Sequence, residues 1–224
     1  MIVNIRTVVE FFDIATNSKR GDINSVIGML GEDLNAAAFK HYCGGKDVDI
    51  LHDTKVVQGF KKGKWLDRWI VNHQKKIVYQ CEIKSWAATA IGGKSLSLDA
   101  NIEDTQDAAR YYLERLRTST NPDARHPNGI TKVLLPMRIP EKISRYHVRP
   151  LLIVWMPVTT DSTSLNPLFA ISKIPSIGVF KKLLIFSVSL YFRNLYHAGT
   201  THIELEIPNA KRRMAKLRSL FKEF

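Results

Sequence analysis

Residues 64–86 (KWLDRWIVNHQKKIVYQCEIKSW) constrain the fold of this chain more than any other stretch, because apolar side chains recur there at every second position. In an extended strand, successive side chains point to opposite faces of the sheet. One face of residues 76–84 is apolar and is predicted to be core: it carries Ile77, Tyr79, Cys81 and Ile83. The other face carries Val78, Gln80, Glu82 and Lys84. A carboxylate and an amine therefore point in the same direction from neighbouring positions on one face.

The preceding run, residues 65–71, is also strand-like, so the two runs predict a β-hairpin. The turn is expected to be centred between Gln74 and Lys75. In this register Asp67 lies directly opposite Glu82, with Cβ atoms roughly 5 Å apart. A slip of one residue would turn Asp67 towards the apolar face, so the hydrophobic pattern favours the pairing of the two carboxylates.

Paired carboxylates on adjacent strands predict a metal site. Two such groups repel each other unless a cation lies between them. Hard oxygen ligands with room for water suit Mg²⁺ or Mn²⁺. Asp67 and Glu82 are therefore the predicted metal-binding side chains, and Lys84 is the cation that the same strand places beside them.

An acidic residue followed on the next strand by Glu-x-Lys resembles the PD-(D/E)XK nuclease superfamily, which has the restriction-endonuclease-like fold. The residues that carry the resemblance are Asp67, Glu82 and Lys84, and the similarity spans roughly residues 22–117. Members often carry a glutamate on the helix before the hairpin, a position that Glu32 occupies here. Leucine stands where the family has a proline before the aspartate, and the Gln-x-x-x-Tyr spacing of one large branch is absent.

The resemblance implies metal-dependent hydrolysis of a phosphodiester bond. Asp67, Glu82 and the backbone carbonyl of Ile83 are then expected to hold Mg²⁺ or Mn²⁺. Lys84 is expected to orient or deprotonate the attacking water. Glu32 is expected to assist a second metal ion or to position Lys84. An ordinary surface role for Glu32 stays open at this point.

The charge of the chain predicts a polyanionic partner. It has 33 Lys and Arg against 21 Asp and Glu, a net charge of +12 and a pI near 9.7. DNA is the first expectation and an anionic membrane surface the second. The candidate nucleic-acid contacts are Lys61, Lys62, Lys64, Gln106, Arg110, Lys211, Arg212 and Arg213. For the charged members of this set, plain solvation is the alternative.

Several function classes lack support in the sequence. No phosphate-binding loop or dinucleotide fingerprint occurs, so no nucleotide cofactor is expected. Cys43 and Cys81 allow no cysteine-rich zinc motif and are expected to be reduced, buried thiols of a cytoplasmic protein. The longest apolar runs are too short to cross a bilayer as helices.

The predicted fold class is α/β, with a restriction-endonuclease-like mixed central sheet flanked by helices. One nuclease-like domain is expected over residues 1–224, with its core at about 22–207 and a basic helix at 208–224. The other predicted helices cover residues 5–16, 22–43 and 102–117. Further strands are predicted within 47–60 and at 132–135, 151–158, 169–172, 183–192 and 202–207.

The predicted function is that of a metal-dependent DNA endonuclease of the restriction, repair or mobile-element kind. One alternative is a nucleic-acid-binding module on the same fold without hydrolytic activity. A second alternative is a scaffold that uses the basic terminal helix on a membrane surface. A homodimer that cuts both strands of a duplex stays open, as does the DNA sequence or structure that is recognised.

Overall fold

A computed structural model describes residues 1–14, 20–51, 55–56, 65–85, 96–119, 131–135, 137, 139–160, 165–172, 180–207, 212 and 215. The helices in this part are α1 (Ile5–Ile14), α2 (Arg20–Tyr42), α3 (Ile102–Ser119) and α4 (Val188–His197). The strands are β1 (Ile2–Asn4), β2 (Val48–Leu51), β3 (Lys55–Val56), β4 (Trp65–Leu66), β5 (Arg68–Asn72), β6 (Ile77–Lys84), β7 (His147–Val154), β8 (Leu168–Ser172), β9 (Lys182–Ser187) and β10 (His202–Glu204).

Six strands form one mixed sheet in the order β2-β5-β6-β7-β9-β8. The pairs β2–β5, β5–β6 and β8–β9 are antiparallel, whereas β6–β7 and β7–β9 are parallel. Two small two-stranded sheets, β1–β10 and β3–β4, lie outside it. The protein is therefore a mixed α/β protein with β6 and β7 at the centre of its sheet, in agreement with the predicted fold class at this level.

Helices cover both faces of the sheet. Side chains of α1, α2 and α4 pack on the face that carries Tyr79 and Cys81. Side chains of α3 and of a 3₁₀ helix (Thr131–Leu134) pack on the face that carries Val78. A strand covered on both faces loses the simple contrast between an apolar and a solvated side. The face of β6 that carries Glu82 is accordingly buried as well.

The hairpin adopts the predicted register. Arg68 pairs with Cys81 and Asn72 pairs with Ile77, so the turn is centred between residues 74 and 75. The strand-like run 65–71 is nevertheless interrupted at Asp67, because β4 pairs with β3 while β5 pairs with β6. Asp67 thus lies at a bend, directly before the first ladder pair of the hairpin.

Two predicted strands are wrong in part or whole. Residues 131–134 form a 3₁₀ helix instead of the strand expected at 132–135. The strand expected at 183–192 ends at Ser187, where α4 begins. Ser187 caps this helix, since its hydroxyl accepts a hydrogen bond from the backbone N–H of Leu190. Residues 188–193 are buried throughout, so their alternation did not mark a strand face.

Most other predicted elements agree with the structure. These are the helices at 5–16, 22–43 and 102–117 and the strands within 47–60 and at 151–158, 169–172 and 202–207, with shifted ends. In the described residues no helix has the length and apolar character needed to cross a membrane. Of the predicted terminal helix, only Arg212 and Ala215 are described, and both are helical.

The two cysteines are free thiols. Cys81 is buried, as predicted, whereas Cys43 is only partly buried. Burial raises the pKa of the Cys43 thiol to about 11 and raises that of Cys81 well above its usual range. Because the thiolate is the reactive form, both groups are poor nucleophiles at neutral pH.

Candidate functional site

Asp67, Glu82 and Lys84 meet at one end of the hairpin, and we call these three residues the hairpin site. The Asp67 carboxylate accepts a hydrogen bond from the backbone N–H of Ile83, at 2.7 Å. The Lys84 ammonium donates to the Glu82 carboxylate at 2.6 Å. The bend at Asp67 removes a backbone partner from the end of β6, and the side chain of Asp67 supplies the missing acceptor.

The backbone of β6 directs the Ile83 carbonyl towards the same side as Asp67. The backbone carbonyl of Lys84 points towards β7, because it accepts a hydrogen bond from the N–H of Trp155 at 3.1 Å. Neighbouring residues of a strand direct their N–H and C=O groups to opposite sides. The backbone N–H and carbonyl of Ile83 therefore point towards β5, as the hydrogen bond from this N–H to Asp67 also requires. The expected backbone ligand is thus on the side of the expected carboxylate ligand.

Glu82 is a buried carboxylate with a cationic neighbour. Its side chain is 1% exposed, whereas that of Lys84 is 21% exposed. An ionised carboxylate is costly in such surroundings unless a cation and hydrogen bonds compensate for the lost water. The ion pair with Lys84 provides this compensation, and the amine remains partly exposed at the edge of the site.

Glu32, on α2, lies within electrostatic reach of the hairpin site. Its pKa is raised above the ordinary value of 4.5, first by burial and next by the negative charge of Asp67. The positive charges of Arg68 and Lys84 oppose this rise. The distance from Glu32 to the Arg68 guanidinium is 3.6 Å, and the Glu32 side chain remains 40% exposed. The glutamate predicted on the helix before the hairpin is therefore close to the other site residues.

Sequence reasoning missed Arg68 and Asp33. The Arg68 guanidinium donates to the Asp67 carbonyl at 2.6 Å and to the Asp33 carboxylate at 3.1 Å. The sequence did carry a signal for this contact. In the predicted register Arg68 pairs with Cys81 and shares its buried face, where a cation requires an acid as partner.

A second contact joins α2 to the end of β6. The Asn35 amide donates to the Ser85 hydroxyl at 3.1 Å, and Asn35 is fully buried. Together with the ion pair between Asp33 and Arg68, this bond attaches one turn of α2 to both strands of the hairpin. Glu32 belongs to the same turn, so its position relative to the hairpin site is held from two directions.

Of the candidate nucleic-acid contacts, the structure describes Gln106, Arg110 and Arg212. Arg110 is exposed on α3 and forms an ion pair with Asp107 rather than with the acids of the hairpin. Gln106 is partly buried on the same helix, and Arg212 is exposed and helical. The remaining candidates lie outside the described residues: Lys61, Lys62, Lys64, Lys211 and Arg213.

The donor set fits Mg²⁺ in kind. No three His, Cys, Asp or Glu side chains in the described part of the chain are grouped so that they could hold a metal ion. Mg²⁺, however, usually keeps several waters and takes only one or two carboxylates from the protein, with substrate phosphates supplying the rest. Asp67, Glu82 and the Ile83 carbonyl meet that smaller requirement, with Lys84 sharing the Glu82 carboxylate.

Comparison with known proteins identifies no relative. No protein-family model, no curated protein and no solved structure matches this chain. Its function therefore has to be argued from its own residues.

Proposed function

We propose that this protein is a metal-dependent DNA endonuclease with a restriction-endonuclease-like fold. The observation that carries the proposal is the hairpin register. Arg68 pairs with Cys81, so Asp67 stands opposite Glu82, and its carboxylate accepts a hydrogen bond from the N–H of the next residue, Ile83. The mixed sheet with helices on both faces and the closeness of Glu32 are additional support.

Each residue of the site has a distinct task in this proposal. Asp67, Glu82 and the Ile83 carbonyl would hold the metal ion. When bound, Mg²⁺ polarises the scissile phosphate and lowers the pKa of a bound water. The Lys84 ammonium, 2.6 Å from Glu82, orients the attacking water and offsets negative charge that develops on the phosphate. Asp67 also keeps the Ile83 peptide in place through its own hydrogen bond.

The charge of the chain supports DNA as the substrate. A net charge of +12 attracts a phosphate backbone whatever its base sequence. The basic residues expected to contact phosphates flank the site in the sequence at Lys61, Lys62 and Lys64, and they recur near the carboxyl terminus. Such contacts hold a duplex without reading its bases.

The direct test is cleavage of supercoiled plasmid DNA with Mg²⁺, with Mn²⁺ and with a chelator. We expect nicked and linear plasmid only when a metal ion is present. Asp67→Asn keeps an acceptor for the Ile83 N–H but removes the charge, so the fold survives and cleavage falls by about 100-fold or more. Lys84→Gln is expected to have an effect of similar size.

The matched controls are Glu141→Gln and Lys142→Gln, which change an exposed acid and an exposed base far along the sequence from the hairpin. Both should cut like the natural chain. Cleavage that persists in Asp67→Asn, or that needs no metal ion, would contradict the proposed mechanism. Linear duplex and single-stranded substrates in the same assay separate internal cutting from digestion at ends.

One observation favours a second candidate, a DNA-binding module without hydrolytic activity. Glu82 is buried and paired with Lys84 at 2.6 Å, so the lysine can offset its charge without a metal ion. This candidate predicts retention of DNA that weakens with salt, together with intact plasmid at every metal concentration. The plasmid assay and a filter-retention assay on one protein sample distinguish the two candidates.

A further inference from the structure

We propose that Arg68 is a built-in cation that limits the hairpin site to one divalent metal ion. The inference deepens the proposed function and rests on it. Glu32 was expected either to assist a second metal ion or to position Lys84. The contacts of Arg68 give Glu32 a different partner, and they assign Arg68 the part of a positioning residue.

The Arg68 guanidinium bridges the helix and the hairpin. One of its terminal nitrogens lies 3.1 Å from the Asp33 carboxylate and 3.6 Å from the Glu32 carboxylate. The other donates to the Asp67 carbonyl at 2.6 Å. A guanidinium is always charged and directs its donors in a fixed plane, so these contacts hold it in one place. A permanent positive charge therefore stands between Glu32 and the peptide of Asp67.

We infer that this guanidinium lies close to the place where Glu32 and Asp67 would share a second metal ion. In two-metal sites the ions lie about 3.5–4 Å apart and act on the attacking and leaving oxygens. For Glu32 and Asp67 to share an ion, it would have to lie between α2 and the start of β5. Arg68 begins β5 and reaches α2 across that gap, with only 12% of its side chain exposed. The guanidinium thus occupies part of this gap and places its positive charge beside Glu32 and Asp33.

The formal charges of the cluster agree with a single ion. Among the residues that the structure describes around the site, the four carboxylates of Glu32, Asp33, Asp67 and Glu82 stand against the two cations Arg68 and Lys84. Two negative charges remain when all four acids are ionised, and one Mg²⁺ balances them. Without Arg68 the same acids would leave three negative charges, which one divalent ion does not balance.

The test is the number of Mn²⁺ ions bound by the full chain, measured by calorimetric titration and by the loss of the free-ion electron spin resonance signal. We expect one Mn²⁺ per chain. Glu32→Gln should also bind one, because Glu32 pairs with Arg68 rather than with metal. Arg68→Gln should bind two, and Arg68→Lys, which keeps the charge, should bind one.

The outcomes separate this inference from the proposed function. Two ions in the natural chain, reduced to one in Glu32→Gln, overturn the inference while leaving a metal-dependent nuclease intact. No bound ion and no plasmid cleavage overturn the proposed function, and the inference with it. Arg68→Gln removes the cation that lies beside the buried Asp33, so it is also checked for folding by circular dichroism. Should it not fold, two ions in the natural chain, or the loss of the ion in Glu32→Gln, would still overturn the inference.

Discussion

Asp67 has one structural task and one proposed functional task. Its side chain completes the backbone hydrogen bonding of β6 at a point where β5 has not yet begun. The same carboxylate is the proposed metal ligand next to Glu82. A residue that supports the strand end and holds the ion is kept in one orientation by its structural contact, which is the preorganisation that a metal site requires. Replacement by alanine would confuse the two effects, whereas Asp67→Asn separates them.

Glu32 makes the stability of the protein depend on pH. Its pKa is raised by burial and then by Asp67, so the folded protein binds this proton more tightly than the unfolded chain does. The stabilisation from the protonated form is complete below the ordinary pKa of 4.5 and is lost as the pH rises through the higher folded value. Compared with Glu32→Gln, the natural chain should therefore become relatively less stable as the pH rises from below 4.5 towards neutral.

The measurement is urea unfolding of the natural chain and of Glu32→Gln across this pH range. We expect the difference in unfolding free energy between them to grow with pH in favour of the glutamine variant. Glu141→Gln, an exposed change of the same kind, is the control for the general effect of removing an acid. A difference that stays constant with pH, or that grows in the opposite direction, would contradict the assignment of Glu32 to these surroundings.

At the scale of elements, α2 and the hairpin form one unit. The bonds from Asp33 to Arg68 and from Asn35 to Ser85 tie successive positions of the helix to β5 and to the end of β6. These contacts join residues 35 and 50 positions apart in the chain. Glu82 and Lys84 therefore stand on a strand and Glu32 on a helix, which favours a fixed geometry, while Asp67 stands at the bend directly before β5.

The junction between β9 and α4 depends on one buried hydroxyl. Ser187 accepts from the N–H groups of Leu190 and Val158, each at 3.3 Å, and donates to the Met156 carbonyl at 2.7 Å. Ser187→Ala would leave these buried groups without a partner and should lower the unfolding free energy by about 1–3 kcal/mol. The control is Ser144→Ala, which removes an exposed hydroxyl. If urea unfolding gave the same loss of unfolding free energy for Ser187→Ala and Ser144→Ala, the cap would not contribute more to stability than an exposed hydroxyl.

At the scale of the whole molecule, the chain carries an excess of 12 positive charges, and the proposed site is acidic. In the proposed function, the overall positive charge attracts DNA, and a metal ion then joins the acids of the hairpin site to a phosphate. Long-range attraction depends on the sum of charges, whereas binding at the site depends on the ion between acid and phosphate.

The contribution of Lys61, Lys62 and Lys64 can be measured through the salt dependence of DNA binding. If Lys61, Lys62 and Lys64 each neutralise a phosphate, replacing all three by glutamine should lower the slope of log Kd against log salt by about 2–3. The control is the triple change of Lys46, Lys75 and Lys76 to glutamine. The last two lie in the hairpin turn, at the other end of the eight-residue strand β6 and about 25 Å from the site. Equal slopes for both triple variants would contradict a local role.

Local periodicity was enough to predict the hairpin. The alternation of the apolar set Ile77, Tyr79, Cys81 and Ile83 with Gln80 and Glu82 predicted the register, because a slip of one residue would turn Asp67 towards the apolar face. The alternation at residues 188–192 predicted the wrong element, because every side chain there is buried and a helix is as compatible with the pattern as a strand. A short apolar run does not by itself distinguish a buried strand from a buried helix.

The sequence by itself therefore determined the mixed α/β character, the hairpin and its register, and the neighbouring positions of Asp67, Glu82 and Lys84. Only the tertiary structure decided that α3 covers the Glu82 face and that Arg68 reaches Asp33 and Glu32. The physical reason is the separation along the chain of the residues that interact. Register follows from neighbours a few residues apart, whereas the partner of a buried charge is chosen when whole elements pack together, and no short repeat in the chain encodes that choice.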